Sequence, residues 1–286
     1  MMLADIILIV LVFLAVLAAS IVDIRKREVP DWISYMLIAS ALLMRLLYAW
    51  QFSSWSYFLY GIIGLLAMAL VGMVLFYAKQ WGGGDAKLLI GIGAAWGTAP
   101  YFVDVPGPFL LYFLLSLAVM GALYGLAYSL ALIIMHFHAW KNSYCRLIAS
   151  KKIRKFIYIF GIAAIILGIV EIAFISNFQF KISLLTLLPF IFIYPYFYVA
   201  LKAVENIAMY KTIHVSKLTE GDWIADPVIK KKFNIPKWGI EQKQIDLLRK
   251  SKLQNIRVKE GIPFVPSFFF ATVLVLNIDA IRMLLF

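Results

Sequence analysis

Long apolar runs limit this chain more than any other feature of its sequence. Eight stretches have about 20 mostly apolar residues each, the length that a helix needs to cross a bilayer. Hydrophobic residues make up 64% of the chain and charged residues only 15%, whereas a soluble domain has about 25% charged residues. The sequence therefore predicts an all-α, polytopic membrane helix bundle with about eight transmembrane helices. The predicted spans lie near residues 3–22, 32–50, 57–78, 86–103, 109–137, 157–176, 182–203 and 264–286.

The fourth of these runs is the weakest candidate for a full span. Lys87 lies in its first turn, and Pro100 is expected to break the helix. Three glycines weaken it further, namely Gly91, Gly93 and Gly97. We therefore expect a short or partly re-entrant helix here.

The distribution of charge predicts the orientation of the spans. The chain has 27 Lys and Arg residues against 15 Asp and Glu residues, a net charge of +12. Threading the eight spans alternately from an outside N-terminus places all of the basic residues on one side except Arg45, Lys181 and Arg282. Because basic residues concentrate in cytoplasmic loops, that side is predicted to be cytoplasmic. The charge then needs no nucleic-acid partner to explain it.

A polar segment over residues 204–263 interrupts the apolar runs. We interpret it as a basic cytoplasmic segment, either a solvated loop beside anionic lipid or a substrate-binding subdomain. Ile240, Ile245, Leu247 and Leu248, with charges between them, predict a short amphipathic helix lying against the membrane surface. The predicted division is a membrane core over 1–137, additional helices with a basic loop over 138–203, the basic segment over 204–263, and a C-terminal transmembrane helix over 264–286.

Two aspartates lie at the ends of predicted spans, where burying a carboxylate is costly and needs an explanation. Asp23 closes the first span, and Asp85 opens the fourth after Gly82, Gly83 and Gly84. The predicted topology brings both aspartates to the cytoplasmic boundary at the same depth. The glycine run is expected to form a turn with positive φ angles that delivers Asp85 into the bundle.

The helix ends give the two carboxylates different environments. Asp85 at a helix N-terminus is expected to be ionised, whereas Asp23 at a helix C-terminus should favour its protonated form. Peptide hydrolysis by two aspartates needs this asymmetry, because a charged carboxylate takes a proton from water while a neutral one protonates the carbonyl oxygen. The shared proton belongs to the pair rather than to either residue.

Each of these residues also has a structural interpretation. Asp23 can be a membrane-edge charge paired with Arg25 or Arg27. Asp85 can be a plain helix cap or can pair with Lys87. We interpret Lys87 as a snorkelling or structural residue, with direct contact to substrate or to Asp85 as the alternative.

The other acidic residues are weaker catalytic candidates. Asp31 is expected to cap the second helix, and Asp222 to lie in a turn. Glu171 falls within the sixth span and is expected to be paired or to face a polar interior.

A metal site is not predicted. His136 and His138 lie on different faces of a helix, and together with Cys145 they lack a fourth ligand. With one Cys in the chain, a disulfide framework and a four-Cys zinc module are excluded. We expect no cofactor.

The run from Gly82 to Asp85 belongs to a wider pattern. Lys87 follows it shortly, and Asp23 lies before a basic patch and the sequence Val29-Pro30-Asp31-Trp32. This pattern resembles the type IV prepilin peptidases, the GxGD membrane aspartyl proteases, and the resemblance covers roughly residues 5–130. Archaeal preflagellin and prepilin peptidases are the most similar, because the paired CxxC motifs of bacterial members are missing. Residues 218–223 and 261–266 also resemble the archaeal branch.

The resemblance implies a membrane aspartyl endopeptidase. It assigns Asp23 and Asp85 as the catalytic pair, with Gly82 and Gly84 as the turn that positions the second aspartate. It also implies cleavage of the basic leader of preflagellin- or prepilin-like subunits at the cytoplasmic face of the cell membrane. The expected partners are those precursors and membrane lipids.

Two other functions compete with this one. In an ion-coupled transporter or channel, Asp23, Asp85 and Glu171 would be proton or cation sites. Transporters usually have related halves and broken helices at mid-membrane, and the sequence has no clear repeat. In a catalytically idle membrane scaffold, the glycine run would serve packing alone.

Overall fold

Helices dominate the computed structural model, which describes residues 2–100, 103–104, 107–174, 185–236, 239–251 and 253–277. Within these ranges there are eleven α-helices and three short strands. The helices are α1 (Met2–Lys26), α2 (Asp31–Phe52), α3 (Trp55–Tyr77), α4 (Gly83–Ala95), α5 (Phe109–Met135), α6 (Phe137–Ala149), α7 (Lys151–Phe174), α8 (Leu188–Ala208), α9 (Pro227–Lys232), α10 (Gln242–Arg249) and α11 (Pro266–Leu276). The strands are β1 (Tyr210–His214), β2 (Trp223–Ile224) and β3 (Asn255–Lys259).

Six helices of the described ranges are long and apolar enough to cross a membrane, namely α1, α2, α3, α5, α7 and α8. They correspond to six of the eight predicted spans, which confirms the polytopic helical fold. Helix α4 has only 13 residues, as the weak fourth run suggested, and α11 has 11 residues. The remainder of the last predicted span, residues 278–286, and residues 181–184 lie outside the described residues.

The chain divides into two compact units. The first comprises the described residues of Met1–Ala127, Pro236–Gly239 and Gly261–Phe286, and the second those of Tyr128–Ile235 and Ile240–Glu260. Helix α11 is therefore grouped with the N-terminal helices. The functional division predicted above, with 264–286 as a separate segment, stays a prediction.

In the first unit, helix α4 is buried along most of its length. Leu88, Leu89 and Ile92 have no exposed surface. Glycines let α3 and α4 approach closely, because a Cβ atom on Gly64 would collide with the backbone of Gly93. Gly93, one of the glycines expected to weaken the fourth helix, therefore allows α4 to pack closely against α3.

Polar side chains hold the C-terminal end of α4. The buried guanidinium of Arg45 donates hydrogen bonds to the carbonyl oxygens of Ala95 at 2.7 Å and Tyr57 at 2.6 Å. The hydroxyl of Tyr57 donates to Oδ1 of Asp5 at 2.6 Å. Since the last carbonyl groups of a helix lack intrahelical partners, Arg45 satisfies one of them and fixes this end of α4.

The second unit contains a small sheet that the sequence pattern does not predict. The strand order is β1-β3-β2 with antiparallel pairing, and both Tyr210 and Trp223 lie opposite Lys259. Ile256 and Val258 of β3 are buried in its core. Further members of this core are Val215, Leu218, Ile224, Ile235, Ile240, Ile245 and Leu248. The interpretation of this segment as a solvated loop was therefore wrong, because it folds around its own apolar core.

The predicted amphipathic helix forms as α10, but its apolar side does not face a membrane. Ile245 and Leu248 have no exposed surface and pack in the core beside the sheet. Leu247, in contrast, is 53% exposed. The apolar spacing therefore predicted the helix correctly and its partner wrongly.

Candidate active site

Asp23 lies in the last turn of α1 and is buried. Its Oδ2 atom accepts a hydrogen bond from the backbone N–H of Val265 at 2.9 Å. Val265 is the N-cap residue of α11, so the carboxylate receives a donor from the start of a helix 242 positions away in the sequence. This donor was not predicted from the sequence, where the C-terminal end of α1 and a pairing with Arg25 or Arg27 were the expected environment of Asp23.

Arg27 makes a second contact between the end of α1 and the segment before α11. Its Nη1 atom donates to the carbonyl oxygen of Gly261 at 2.9 Å. Arg27 itself ends α1 in the left-handed conformation, with φ of 58°, and its N–H donates to the carbonyl oxygen of Asp23. Its positive charge also acts on the Asp23 carboxylate, so the paired-charge interpretation of Asp23 is partly realised.

Asp85 lies in the first turn of α4. Its Oδ2 atom accepts a hydrogen bond from the backbone N–H of Gly82, the N-cap residue, at 3.1 Å. This is the side-chain half of a capping box, in which a residue three positions into the helix satisfies the N-cap amide. The helix-cap interpretation of Asp85 is therefore correct, and it fixes the carboxylate at the mouth of α4.

The glycine run does not adopt the positive φ angles that we expected. Gly82 is extended, with φ of −73° and ψ of 161°, and Gly83 and Gly84 are already helical. What the run provides is close approach: a Cβ atom on Gly84 would lie 2.8 Å from Cβ of Val29 and 3.2 Å from its carbonyl oxygen. Gly84 thus lets the start of α4 contact the connection between α1 and α2.

The two aspartates, which lie 62 positions apart in the sequence, act on each other electrostatically. Burial of the Asp85 carboxylate and the negative charge of Asp23 raise the pKa of Asp85 to about 7. Helix α4, which carries Asp85, is not one of the six helices long enough to cross a membrane, so Asp85 lies outside those segments. Desolvation and the neighbouring carboxylate therefore oppose the ionised state that the helix N-terminus favours.

Aromatic rings connect the loop before Asp85 to α11. The ring of Trp81 lies 5.7 Å from that of Phe264 and 5.4 Å from that of Phe268, measured between centroids. Both phenylalanines were missed as site residues. The run of residues 261–266, which resembles the archaeal branch, contains Phe264 and could have pointed to it, whereas Phe268 lies beyond the run.

Lys87 does not pair with Asp85. Its Nζ atom forms a salt bridge with Asp31 at 2.6 Å and lies 5.6 Å from the ring centroid of Tyr35. Asp31 is the first residue of α2 rather than its cap, since Pro30 occupies the N-cap position. This ion pair ties the start of α2 to the start of α4, which agrees with a structural role for Lys87.

The remaining acidic candidates lie in the second unit. Asp222 accepts a hydrogen bond from the N–H of Thr219 at 2.8 Å, which confirms it as a turn residue. Glu171 is buried near the end of α7. Among the described residues, no three His, Cys, Asp or Glu side chains gather as a metal site would require.

Residues 9–126 match the type IV leader peptidase family. The match covers 118 of the 286 residues, and over this stretch the chain is similar to that family. It contains both aspartates, the glycine run and Lys87, so the family predicted from those residues is confirmed. Comparison with curated proteins and with solved structures found no significant match.

The match to the leader peptidase family supports a peptidase and not the transporter alternative. Its six helices of membrane length make it a multi-pass membrane protein. The second unit and α11 lie beyond the matched stretch. Of the hydrogen bonds that hold the aspartate side chains, the one from Gly82 therefore falls inside the family match and the one from Val265 falls outside it.

Proposed function

We propose that this protein is a membrane aspartyl endopeptidase in which Asp23 and Asp85 activate a water molecule. The observation that carries the proposal is that both carboxylates, at the end of α1 and the start of α4, lie within the stretch that matches a peptidase family, and the charge of Asp23 acts on Asp85. A pair of interacting carboxylates that share one proton is the arrangement that aspartic proteolysis needs.

In the proposed reaction, the ionised carboxylate takes a proton from water as the water oxygen attacks the carbonyl carbon. The neutral carboxyl group donates its proton to the carbonyl oxygen, which gives a tetrahedral intermediate. Collapse of the intermediate breaks the C–N bond, and the leaving amine takes up a proton from the pair. We assign the neutral role to Asp85, because a pKa of about 7 keeps it partly protonated at neutral pH. Asp23 then takes the role of the base, with the N–H of Val265 donating to its Oδ2 atom.

The proposed substrates are precursors of preflagellin- or prepilin-like subunits with a short basic leader. The family of leader peptidases supports this class of substrate. The concentration of Lys and Arg on one side of the predicted topology supports a cytoplasmic position for both aspartates. The leader would then stay in the cytoplasm, the apolar helix of the precursor would lie in the bilayer, and the scissile bond would fall between them.

Cleavage of a purified prepilin-like precursor by the full chain in liposomes tests the proposal. Asp23→Asn and Asp85→Asn should each lower the cleavage rate by at least about 1,000-fold, the scale for removal of a group that acts in a catalytic unit. Asp246→Asn is the matched control, because Asp246 is an exposed aspartate of α10 in the second unit. Cleavage that survives either of the first two changes would show that the paired-aspartate mechanism is wrong.

A further inference from the structure

The residues from Gly261 to Phe268, which we call the α11 entry, form contacts with both segments that carry an aspartate. They lie beyond residues 9–126, so the family match does not account for them. Two polar contacts join the α11 entry to the end of α1: the N–H of Val265 donates to Asp23, and Arg27 donates to the carbonyl oxygen of Gly261. Asp23 and Arg27 are four residues apart, and so are Gly261 and Val265. The two contacts therefore hold the last turn of α1 against the α11 entry.

Apolar contacts join the same residues to the loop before α4. Trp81, one residue before the glycine run, lies against the rings of Phe264 and Phe268. Phe264 also packs on α5, where a Cβ atom on Gly121 would lie 2.9 Å from its ring. Val265 and Phe268 have no exposed surface. The α11 entry therefore packs against the end of α1, which carries Asp23, and against the loop before α4, which precedes Asp85.

The backbone N–H groups of Val265 and Phe264 both interact with the Asp23 carboxylate, and the one from Val265 lies 2.9 Å from Oδ2. A carboxylate in the last turn of a helix can rotate about its side-chain bonds, and a donor on one oxygen restricts that rotation. The N–H of Val265 is available because the first N–H groups of a helix have no intrahelical acceptor. A donor supplied by backbone in a buried, aromatic-lined segment keeps its position better than a mobile side chain would.

We propose that Val265 is a positioning residue for proteolysis, whose backbone N–H holds the Asp23 carboxylate in its reactive orientation beside Asp85. This inference rests on the proposed function, since it assumes that Asp23 is catalytic. It adds that the active site is completed by the α11 entry and is not contained in the stretch that matches the family.

Removal of that one N–H group tests the inference. Val265 has φ of −58°, which a proline ring also adopts, so Val265→Pro removes the donor without a change of φ. A second variant replaces Val265 with its α-hydroxy acid, which converts the amide to an ester and keeps the side chain. Each variant should lower kcat by about 10- to 100-fold, as expected for a lost hydrogen bond to a charged group, with KM unchanged.

Leu187→Pro is the matched control, because Leu187 is the N-cap residue of α8 in the second unit and has helical φ and ψ of −83° and −24°. It should leave both kcat and KM near the wild-type values. If the Val265→Pro protein does not fold, as judged by thermal unfolding, the ester variant decides the outcome. Wild-type kcat in the folded Val265 variants, with Asp23→Asn inactive, would overturn the inference and leave the proposed function standing. Activity in Asp23→Asn would instead overturn the proposed function itself.

Discussion

The Asp85 carboxyl group is subject to two opposing influences. Its position in the first turn of α4, with a hydrogen bond from the N–H of Gly82, favours the charged form. Burial and the negative charge of Asp23 act in the opposite direction and raise its pKa to about 7. The second influence prevails, and this value lets a general acid keep its proton near neutral pH.

The pKa of Asp85 predicts the alkaline limb of the pH–rate profile. Since the pKa is raised from 3.8 to about 7, the proton is present below that pH and is lost as the pH rises through it. We therefore expect kcat/KM for precursor cleavage to fall as the pH rises above about 7. The midpoint belongs to the aspartate pair as a unit. A rate that keeps rising through the alkaline range would contradict this assignment of the acid.

Gly84 predicts a second result at the residue scale. In Gly84→Ala the new Cβ atom would lie 2.8 Å from Cβ of Val29, so the first turn of α4 must move and carry Asp85 with it. A displacement of about 1 Å in a catalytic group can cost roughly 100-fold, so kcat/KM should fall by about 10- to 100-fold. In Gly83→Ala the nearest atom, in the ring of Phe76, is 3.7 Å away, and the loss should be much smaller. Equal losses in the two variants would show that close approach at Gly84 does not position Asp85.

At the scale of elements, helix α4 has 13 residues, fewer than the roughly 20 of a full span, and is held from both ends. Arg45 fixes its C-terminal end through Ala95, and the Lys87 to Asp31 salt bridge ties its first turns to α2. Between these points, α3 packs against it through glycines. Such small-residue contacts replace the hydrophobic effect as the main source of helix association in a membrane.

This packing predicts a large difference between two glycine substitutions in membrane helices. In Gly64→Ala the new Cβ atom would collide with the backbone of Gly93 and lie 2.6 Å from Cα of Gly97, so α3 and α4 must separate. We expect a loss of about 1–3 kcal/mol in the free energy of unfolding, measured in detergent. Gly161→Ala in α7 meets nothing within 4 Å and should gain about 0.5 kcal/mol from helix propensity. A Gly64→Ala protein as stable as wild type would refute the close packing.

Sequence patterns predicted the elements that depend on local composition and missed those that depend on distant contacts. The apolar runs predicted α1, α2, α3, α5, α7 and α8, because length and hydrophobicity alone define a span. The aspartates and glycines were found from their positions at span ends. The strands were missed because β2 has two residues and β1 and β3 have five each, too few for a clear alternation within a basic segment. Val265 was missed because its partner Asp23 is 242 positions away and its contribution is a backbone amide, which no residue type signals.

At the scale of the whole molecule, the surplus of basic residues predicts which side of the membrane each loop occupies. Residues 138–156 carry several of these charges, and the loop also holds Cys145, the one cysteine of the chain. Cys145 lies in α6 and is exposed. It is therefore a natural probe for the predicted orientation.

Labelling of Cys145 by a membrane-impermeant maleimide tests that orientation. We expect labelling in inverted vesicles and protection in right-side-out vesicles until detergent is added, because the loop is predicted to be cytoplasmic. Cys145→Ser should remove the signal in both. Labelling in right-side-out vesicles alone would reverse the predicted topology and place the aspartates on the outer side.

The central claim is that Asp23 and Asp85 act as one catalytic unit. The most direct measurement is the single-turnover cleavage rate of a prepilin-like precursor by wild type, Asp23→Asn, Asp85→Asn and the double variant, all in the same liposomes. Because members of a catalytic unit are strongly non-additive, each single variant should lose at least about 1,000-fold and the double variant should be no slower than either. Losses that multiply in the double variant, or a single variant that retains cleavage, would contradict the claim.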